Sequence, residues 1–291
     1  MADRRAIDGP PDVIIIGGGH NALVCAAYLA AGKRRVVVLE ARNDLGGMAG
    51  TGQVLEGFKG PLTAHLLHGF SAEVVKELRL SRHGFKLSPH KLPTVVLDPD
   101  GRNLVLTGEP KHDAQALAIV SNNDAANYQR FMDRLNAHAT ALRPLFESTP
   151  PAQAGAAPAT QLGALEKIAA TLKPRQSQDL MRVAAMSIGD LLDDSFEHPT
   201  LKALFAIEAL AGSPAGAYAP MTAFPLLLER ASRGRGAISG YPEGGLGGLA
   251  EALRKAATDR GANIRTGSKV VKINVDQGRA TSVDMANGER L

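Results

Sequence analysis

The sequence predicts an α/β fold in which an amino-terminal βαβ unit is interrupted by a mixed α+β segment and resumed near the carboxyl end. Two short apolar runs and the glycines between them carry that reading. Asp12-Val-Ile-Ile-Ile16 is wholly apolar after its first residue and rich in β-branched side chains, the pattern of a parallel strand buried on both faces. It runs directly into Gly17-Gly18-Gly19, and a second such run, Arg35-Val-Val-Val-Leu39, follows about one helix later. At 291 residues the chain has room for a second domain, since domains hold roughly 100–200 residues. The expected division is 1–57, 58–236 and 237–291, the outer two segments forming one domain.

Gly17-Gly18-Gly19-His20-Asn21-Ala22 fits the pattern G-x-G-x-x-G/A, in the strand, turn and helix context that the pattern requires. Gly17 lets the chain turn sharply, and Gly19 lets the backbone approach a pyrophosphate with no Cβ in the way. Ala22 allows helix and strand to pack closely. Asn21 to Ala31 has helical composition and is closed by Gly32. Phosphates would lie on the free N–H groups at the start of this helix, where the macrodipole also favours negative charge.

Glu40 ends the second apolar run, 21 residues after Gly19, where a ribose-binding acid is expected. A carboxylate there repels a 2′-phosphate, so the dinucleotide is FAD or NAD rather than NADP. The next segment, Ala41-Arg42-Asn43-Asp44-Leu45-Gly46-Gly47-Met48, separates the two. A Glu followed by Arg-x-x-x-Gly-Gly resembles the signature of the FAD superfamily that includes phytoene desaturases and amine oxidases. The Gly-His-Asn loop and Leu23-Val-Cys-Ala-Ala-Tyr-Leu29 are similar to its phytoene-desaturase-like branch, that of the pyridine nucleotide-disulphide oxidoreductase domain proteins. The resemblance continues through Met186-Ser-Ile-Gly-Asp-Leu-Leu192, Ala211-Gly-Ser-Pro214 and Gly240-Tyr-Pro-Glu-Gly-Gly-Leu-Gly-Gly-Leu249, and so covers nearly the whole chain.

What the resemblance implies is a Rossmann-like FAD-binding βαβ domain with an inserted mixed α+β substrate domain. It implies FAD as cofactor, held by Gly17, Gly18, Gly19, His20, Asn21, Ala22, Glu40, Ala41, Arg42, Gly46, Gly47 and Met48, with the Gly-Gly turn against the pyrophosphate. It also implies that the backbone of Val270, in a Val-x-x-Ile pattern, holds the adenine. The activity implied is removal of hydride from a small lipophilic substrate, an isoprenoid being one candidate. Relatives of this kind continue beyond the point matching Leu291 with a further strand and a glycine-rich segment, so the chain reads as the amino-terminal part of a longer protein or as a truncated product. Two other readings stay open: a non-catalytic interaction or regulatory protein of the same fold, and an NAD-dependent dehydrogenase.

Between the two ends, Pro93–Leu97 and Arg102–Leu106 flank the turn-forming Asp98-Pro-Asp-Gly101 and predict a hairpin. Helices are expected over Ala114–Ser121, Asp124–Leu142, Leu165–Leu172, Gln176–Phe196 and Pro199–Ala211, with a loop or linker over Ser148–Gly163. The broad apolar faces of these helices either line a lipophilic cavity or make the domain core. Near the end, a helix over Leu246–Arg260 closes at Gly261. Strands follow within Ala262–Ile273 and over Ala280–Met285, the latter joined through a turn at Asp276-Gln-Gly278.

His65 and His68 stand three apart, a spacing that on a helix would share one face, but no third ligand accompanies them and no metal is expected. His65 is instead placed after the Gly-Gly turn, where it could face flavin or substrate. No residue is assigned a catalytic role, because flavin accepts hydride itself. The net charge of +4 is spread along a chain with only 4% aromatic residues, which argues against nucleic acid and permits peripheral contact with a membrane. Cys25, the single cysteine, excludes an intramolecular disulfide, reads as a small core residue and is compatible with a cytoplasmic location. The most apolar stretch, Ala217–Leu228, is cut by Pro220 and Pro225 and cannot span a bilayer. The oligomeric state is left open.

Overall fold

The computed structural model describes residues 9–89, 92–98, 101, 103–147, 166–233 and 237–291. The chain divides into two compact units, one up to residue 90 together with 238–291, the other 91–237.

In the first unit, β1 (Val13–Ile16), β2 (Val36–Leu39) and β9 (Asn263–Arg265) form a parallel sheet in the order β1-β2-β9. β2 is buried throughout, and its side chains alternate between two cores. Val36 and Val38 pack with helix α1 (His20–Ala31) and helix α11 (Leu246–Asp259), while Val37 and Leu39 meet Val283 and Met285. Those last two lie on the antiparallel hairpin of β10 (Val270–Asp276) and β11 (Arg279–Met285). Gln277 and Gly278, both at positive φ, turn this hairpin, as a two-residue connection demands. The result is helices, sheet and hairpin stacked as three layers.

Two details of α1 differ from expectation. Leu23, Ala26, Ala27 and Ala30 make its buried stripe, which leaves Cys25 on the opposite, exposed side rather than in the core. Gly32 caps the helix, but the left-handed residue is Lys33, at φ 60°. Lys33 N–H donates to Ala30 O at 2.9 Å and Arg34 N–H to Leu29 O at 3.1 Å, a Schellman arrangement normally given to glycine. α11 does end on glycine, with Gly261 at φ 99°.

The division at residue 57 is displaced. β4 (Phe58–Pro61) pairs with β3 (Thr51–Leu55), β5 (Leu67–Ser71) pairs with β8 (Ala237–Gly240), and Leu67, Leu78, Leu80 and Phe85 enter the same core as α1 and α11. A short helix, α2 (Ala72–Glu77), follows β5. Where the chain leaves and re-enters this unit its two passes are bonded: Ser88 N–H to Tyr241 O at 2.8 Å and Glu243 N–H to Lys86 O at 2.9 Å. Burial of these apolar residues moves 58–89 into the first unit.

The second unit holds the expected hairpin, β6 (Thr94–Val96) with β7 (Leu104–Leu106), although Pro99, Asp100 and Arg102 of its connection lie outside the described residues. Its helices are α3 (Pro110–Ala118), α4 (Asn122–Leu142), α5 (Pro144–Glu147), α6 (166–171), α7 (Pro174–Ala185), α8 (Ile188–Asp193), α9 (Pro199–Leu210) and α10 (Phe224–Ser232). The linker expected over Ser148–Gly163 lies outside the described residues. The single helix expected over Gln176–Phe196 is broken at Met186-Ser187, because the Ser187 hydroxyl accepts from Asp190 N–H at 3.0 Å and starts a new helix. The apolar faces converge on the unit's own core around Phe131, Phe196 and Phe205. Two buried carboxylates organise its turns. Asp124 accepts from Glu197 and His198 N–H, both at 2.8 Å, ahead of α9, and Asp113 accepts from Thr107 and Gly108 N–H ahead of α3.

Two outcomes are expected. Lys33→Gly removes a left-handed lysine and should raise unfolding stability in urea by about 1 kcal/mol. At the start of β1, the Arg35 guanidinium and amide bonded to Asp12 pull its carboxyl down to about 2 from an ordinary 3.8. A depressed acid stabilises the fold above its ordinary value and loses that contribution as pH falls through its folded value. Stability differences between wild type and Asp12→Asn should therefore be constant above pH about 4 and shrink towards pH about 2, read from acid-dependent urea midpoints.

Candidate dinucleotide site

The site is assembled where β1 and β2 end. Gly17 N–H donates to Leu39 O at 2.8 Å, and Gly17 takes φ 98°, a value only glycine adopts without strain. Helix α1 then starts at His20 with Gly19 as its N-cap and no side-chain cap. Leu23 N–H is the first to bond back, to Gly19 O at 3.0 Å, so the N–H groups of His20, Asn21 and Ala22 precede the helical ladder.

The Gly-Gly turn lies against this loop. Gly46 N–H donates to Gly18 O at 2.8 Å, and Gly19 and Gly46 form a parallel bridge. Gly46 and Gly47 both have positive φ, 112° and 58°, and a Cβ on Gly47 would stand 3.1 Å from the Gly19 Cα. The two glycine segments, 27 residues apart in sequence from Gly19 to Gly46, therefore touch backbone to backbone. Met48, within the 3-10 turn Gly47–Ala49, is exposed.

Glu40 is buried, and its carboxylate accepts from Gly18 N–H at 2.6 Å and from Arg42 N–H at 2.8 Å. An ionised carboxylate offers about four lone-pair sites, so two stay available to ribose hydroxyls. The backbone of the same segment holds the carboxyl-terminal strands in place. Ser268 N–H donates to Glu40 O at 2.7 Å and Gly267 N–H to Arg42 O at 3.0 Å, just before Val270 begins β10. Ala41 and Arg42 are exposed beside them. The structure thus brings every residue assigned from sequence to one end of the sheet, the carboxyl end at which open α/β sheets bind ligands.

The glycines differ in why they are glycine. A Cβ on Gly18 would lie 2.4 Å from Leu45 Cδ2 and 3.1 Å from Glu40 Cβ, so a side chain there would have to push the Leu45 tip aside and crowd Glu40. Gly19 is the reverse case. Its φ of −70° and ψ of 166° suit any residue, and a Cβ there would meet nothing nearer than the Gly47 Cα at 4.0 Å. Nothing in the fold demands glycine at 19, whereas a pyrophosphate lying on the loop would.

Sequence reasoning missed the support behind the Gly-Gly turn. Gly247 N–H, at the start of α11, donates to Thr51 Oγ1 at 3.0 Å, and a Cβ on Gly247 would stand 2.6 Å from that oxygen. A Cβ on Gly46 would meet Ala250 Cβ at 3.0 Å. The glycine cluster at residues 244–248 was the available signal: it lets a helix approach the turn closely. A cleft of about 1220 Å³ borders this support, with Leu45, Thr51, Gly247, Ala250 and Arg254 among its walls, and its lining does not include Gly17, Gly19, Glu40 or Val270.

His65 is exposed and precedes β5, and His68 lies within that strand, so the two do not share a helix face. Among the described residues no cluster of three metal-ligating side chains occurs, and no helix is long and apolar enough to cross a membrane.

Replacement of Gly18 by alanine should destabilise the first unit by about 1–3 kcal/mol through overpacking, measured by urea unfolding.

The chain matches the family model of flavin containing amine oxidoreductases over residues 23–291. It is 29% identical to the mouse pyridine nucleotide-disulfide oxidoreductase domain-containing protein 2 over 96% of this chain and 51% of that protein. It is 31% identical to hydroxyneurosporene desaturase of Cereibacter sphaeroides over 97% of this chain and 54% of that enzyme. The chain thus spans about half the length of these curated relatives. In fold it resembles putrescine oxidase, with a TM-score of 0.58 at 16% identity over 96% of this chain and 56% of the other. Together with the joined glycine segments and the acid that ties them, this match makes the chain a member of the flavin containing amine oxidoreductase family, with FAD as its dinucleotide.

Proposed function

We propose that this protein is an FAD-dependent oxidoreductase of the desaturase or dehydrogenase type that takes hydride from a lipophilic, isoprenoid-class substrate. The observation that carries the cofactor side of this reading is Gly19, a glycine with room for a Cβ, ordinary dihedral angles and an uncapped helix start behind it. The likeness to hydroxyneurosporene desaturase, an enzyme named for an isoprenoid, supports the substrate class.

The residues divide the work as follows. The pyrophosphate lies on Gly17–Gly19 and the N–H groups of His20, Asn21 and Ala22, aided by the positive end of the α1 dipole. Glu40 accepts from the ribose and rejects a 2′-phosphate by charge. Gly46 and Gly47 let the second segment pass close to the phosphates, with Ala41, Arg42 and Met48 bordering it, and the Val270 backbone meets the adenine. When bound, the flavin supplies the hydride acceptor, which is why no side chain is assigned as acid, base or nucleophile.

The visible absorption spectrum of the purified chain, recorded before and after incubation with FAD and desalting, tests this reading. Retained flavin bands support it, and their absence, with NAD bound instead on titration, would favour a dehydrogenase of the other cofactor. Binding of FAD with no reduction by any donor would favour an interaction protein of the same fold. Gly19→Ala should leave the urea midpoint unchanged and weaken FAD binding by about tenfold or more, a separation between folding and binding that Gly18→Ala cannot give.

A further inference from the structure

The positive charge of the chain is scattered in sequence but gathered by the fold. The cleft of about 1220 Å³ lies within the first unit, and six basic residues line it: Lys33, Arg34, Arg35, Lys59, Arg254 and Arg260. Two acids, Asp44 and Glu251, share the lining. The cleft thus takes six of the chain's 33 lysines and arginines and two of its 29 acids, which leaves 27 of each elsewhere. The whole excess of +4 borders one concavity.

Internal partners account for only part of this charge. The Arg35 guanidinium bonds Asp12 at 2.7 Å, and Arg254 bonds Glu251 through Nε at 2.7 Å and Nη2 at 2.8 Å. Arg260 donates to the carbonyls of Ala256 and Glu77, which hold it in place without neutralising it. Lys33, Arg34 and Lys59 form no ion pair among the described residues. Helices α1 and α11 both end at the cleft, and each helix end offers about half a negative charge. That offsets about one of the four cations left without a carboxylate. Lys33 adds an independent observation. Its φ of 60° is costly for a residue with a Cβ, and backbone strain of this kind is retained where function needs the residue.

We propose that this cleft is a second binding site, for a soluble ligand of the polyphosphate class such as a nucleoside polyphosphate. Guanidinium forks match phosphate oxygens, and an excess of several charges suits a chain of phosphates better than a single carboxylate. A concave wall of one sign focuses the field inside it, whereas a flat bilayer would meet only its rim. The volume exceeds that of a site for a lone ion and leaves room for an organic group beside the phosphates. Because Gly17, Gly19 and Glu40 are absent from the lining, this site is separate from the dinucleotide loop and does not rest on the FAD reading.

Titration calorimetry of the 291-residue chain with tripolyphosphate, repeated with FAD in excess, tests the proposal. The expected result is one-to-one binding that weakens as salt rises and is unchanged by FAD. Orthophosphate should bind about tenfold more weakly or worse. Lys33→Gly and Arg34→Gln should each weaken tripolyphosphate binding by about fivefold or more. Lys33→Arg should keep it, as should Arg182→Ala, which removes a cation of the second unit outside the cleft. Since Lys33→Gly relieves backbone strain, its urea midpoint should rise while its binding falls, which separates lost binding from lost folding.

Four results overturn the proposal. One is no binding of tripolyphosphate up to about 1 mM. Another is displacement by FAD, which would place the anion on the glycine loop. A third is an equal loss in Lys33→Gly and Arg182→Ala, which would make net charge the cause. The last is sedimentation with phosphatidylglycerol vesicles that Lys33→Gly weakens, with no tripolyphosphate bound, which would assign these cations to a lipid surface.

Discussion

The carboxylate of Glu40 ties the dinucleotide-binding region together: one oxygen takes the Gly18 N–H, the other the Arg42 N–H, while the backbone of the same residue receives Ser268 N–H. The nearby Arg42 and two stretches distant in sequence, at Gly18 and Ser268, are thereby held at the end of β2. The acid is buried, so each of those bonds forms where water competes little, and a charge-assisted bond to a backbone amide is among the stronger contacts available to a loop. The glycine loop, the entry to the Gly-Gly turn and the approach to β10 all take their positions from it.

Around that anchor the glycines follow separate physical demands. Gly17, Gly46 and Gly47 are set by positive φ, and Gly18 by the closeness of Leu45 and Glu40. Gly247 is set by the closeness of Thr51, which brings α11 onto the back of the turn. Only Gly19 is left without an internal reason, and it stands where the helix offers uncapped N–H groups. A loop whose other glycines are fixed by the fold is already shaped before a ligand arrives, which lowers the ordering cost of binding.

The second unit relies on buried carboxylates in another way. Asp113 and Asp124 each accept backbone N–H groups at places where helices start, and the partly exposed Asp179 accepts two bonds from the Arg134 guanidinium and lies 2.9 Å from the buried His138 ring. The Arg134 guanidinium, first, and His138 hold the Asp179 carboxyl below the usual range. These contacts make turns and helix entries specific, while the phenylalanine cluster supplies apolar burial.

The sequence by itself determined the local elements and the chemistry they carry. Apolar β-branched runs, glycine spacing and an acid at the end of β2 are short-range signals, since strand burial, positive φ and charge are properties of a few neighbouring residues. The hairpins of 94–106 and 270–285 and most helices were legible for the same reason. Only the tertiary structure decided which glycine serves packing and which leaves space, that 58–89 belongs with the first unit, and that Cys25 faces out. It also decided that Ser187 ends one helix and begins another, and that β1 pairs in parallel with β2. Each of these depends on partners far along the chain: Leu45 against Gly18, Thr51 against Gly247, Leu78 and Phe85 in the α1–α11 core, and β2 as the sole neighbour of β1 among the described residues. Contacts of that kind are set by how whole elements pack, and no window of adjacent residues contains them.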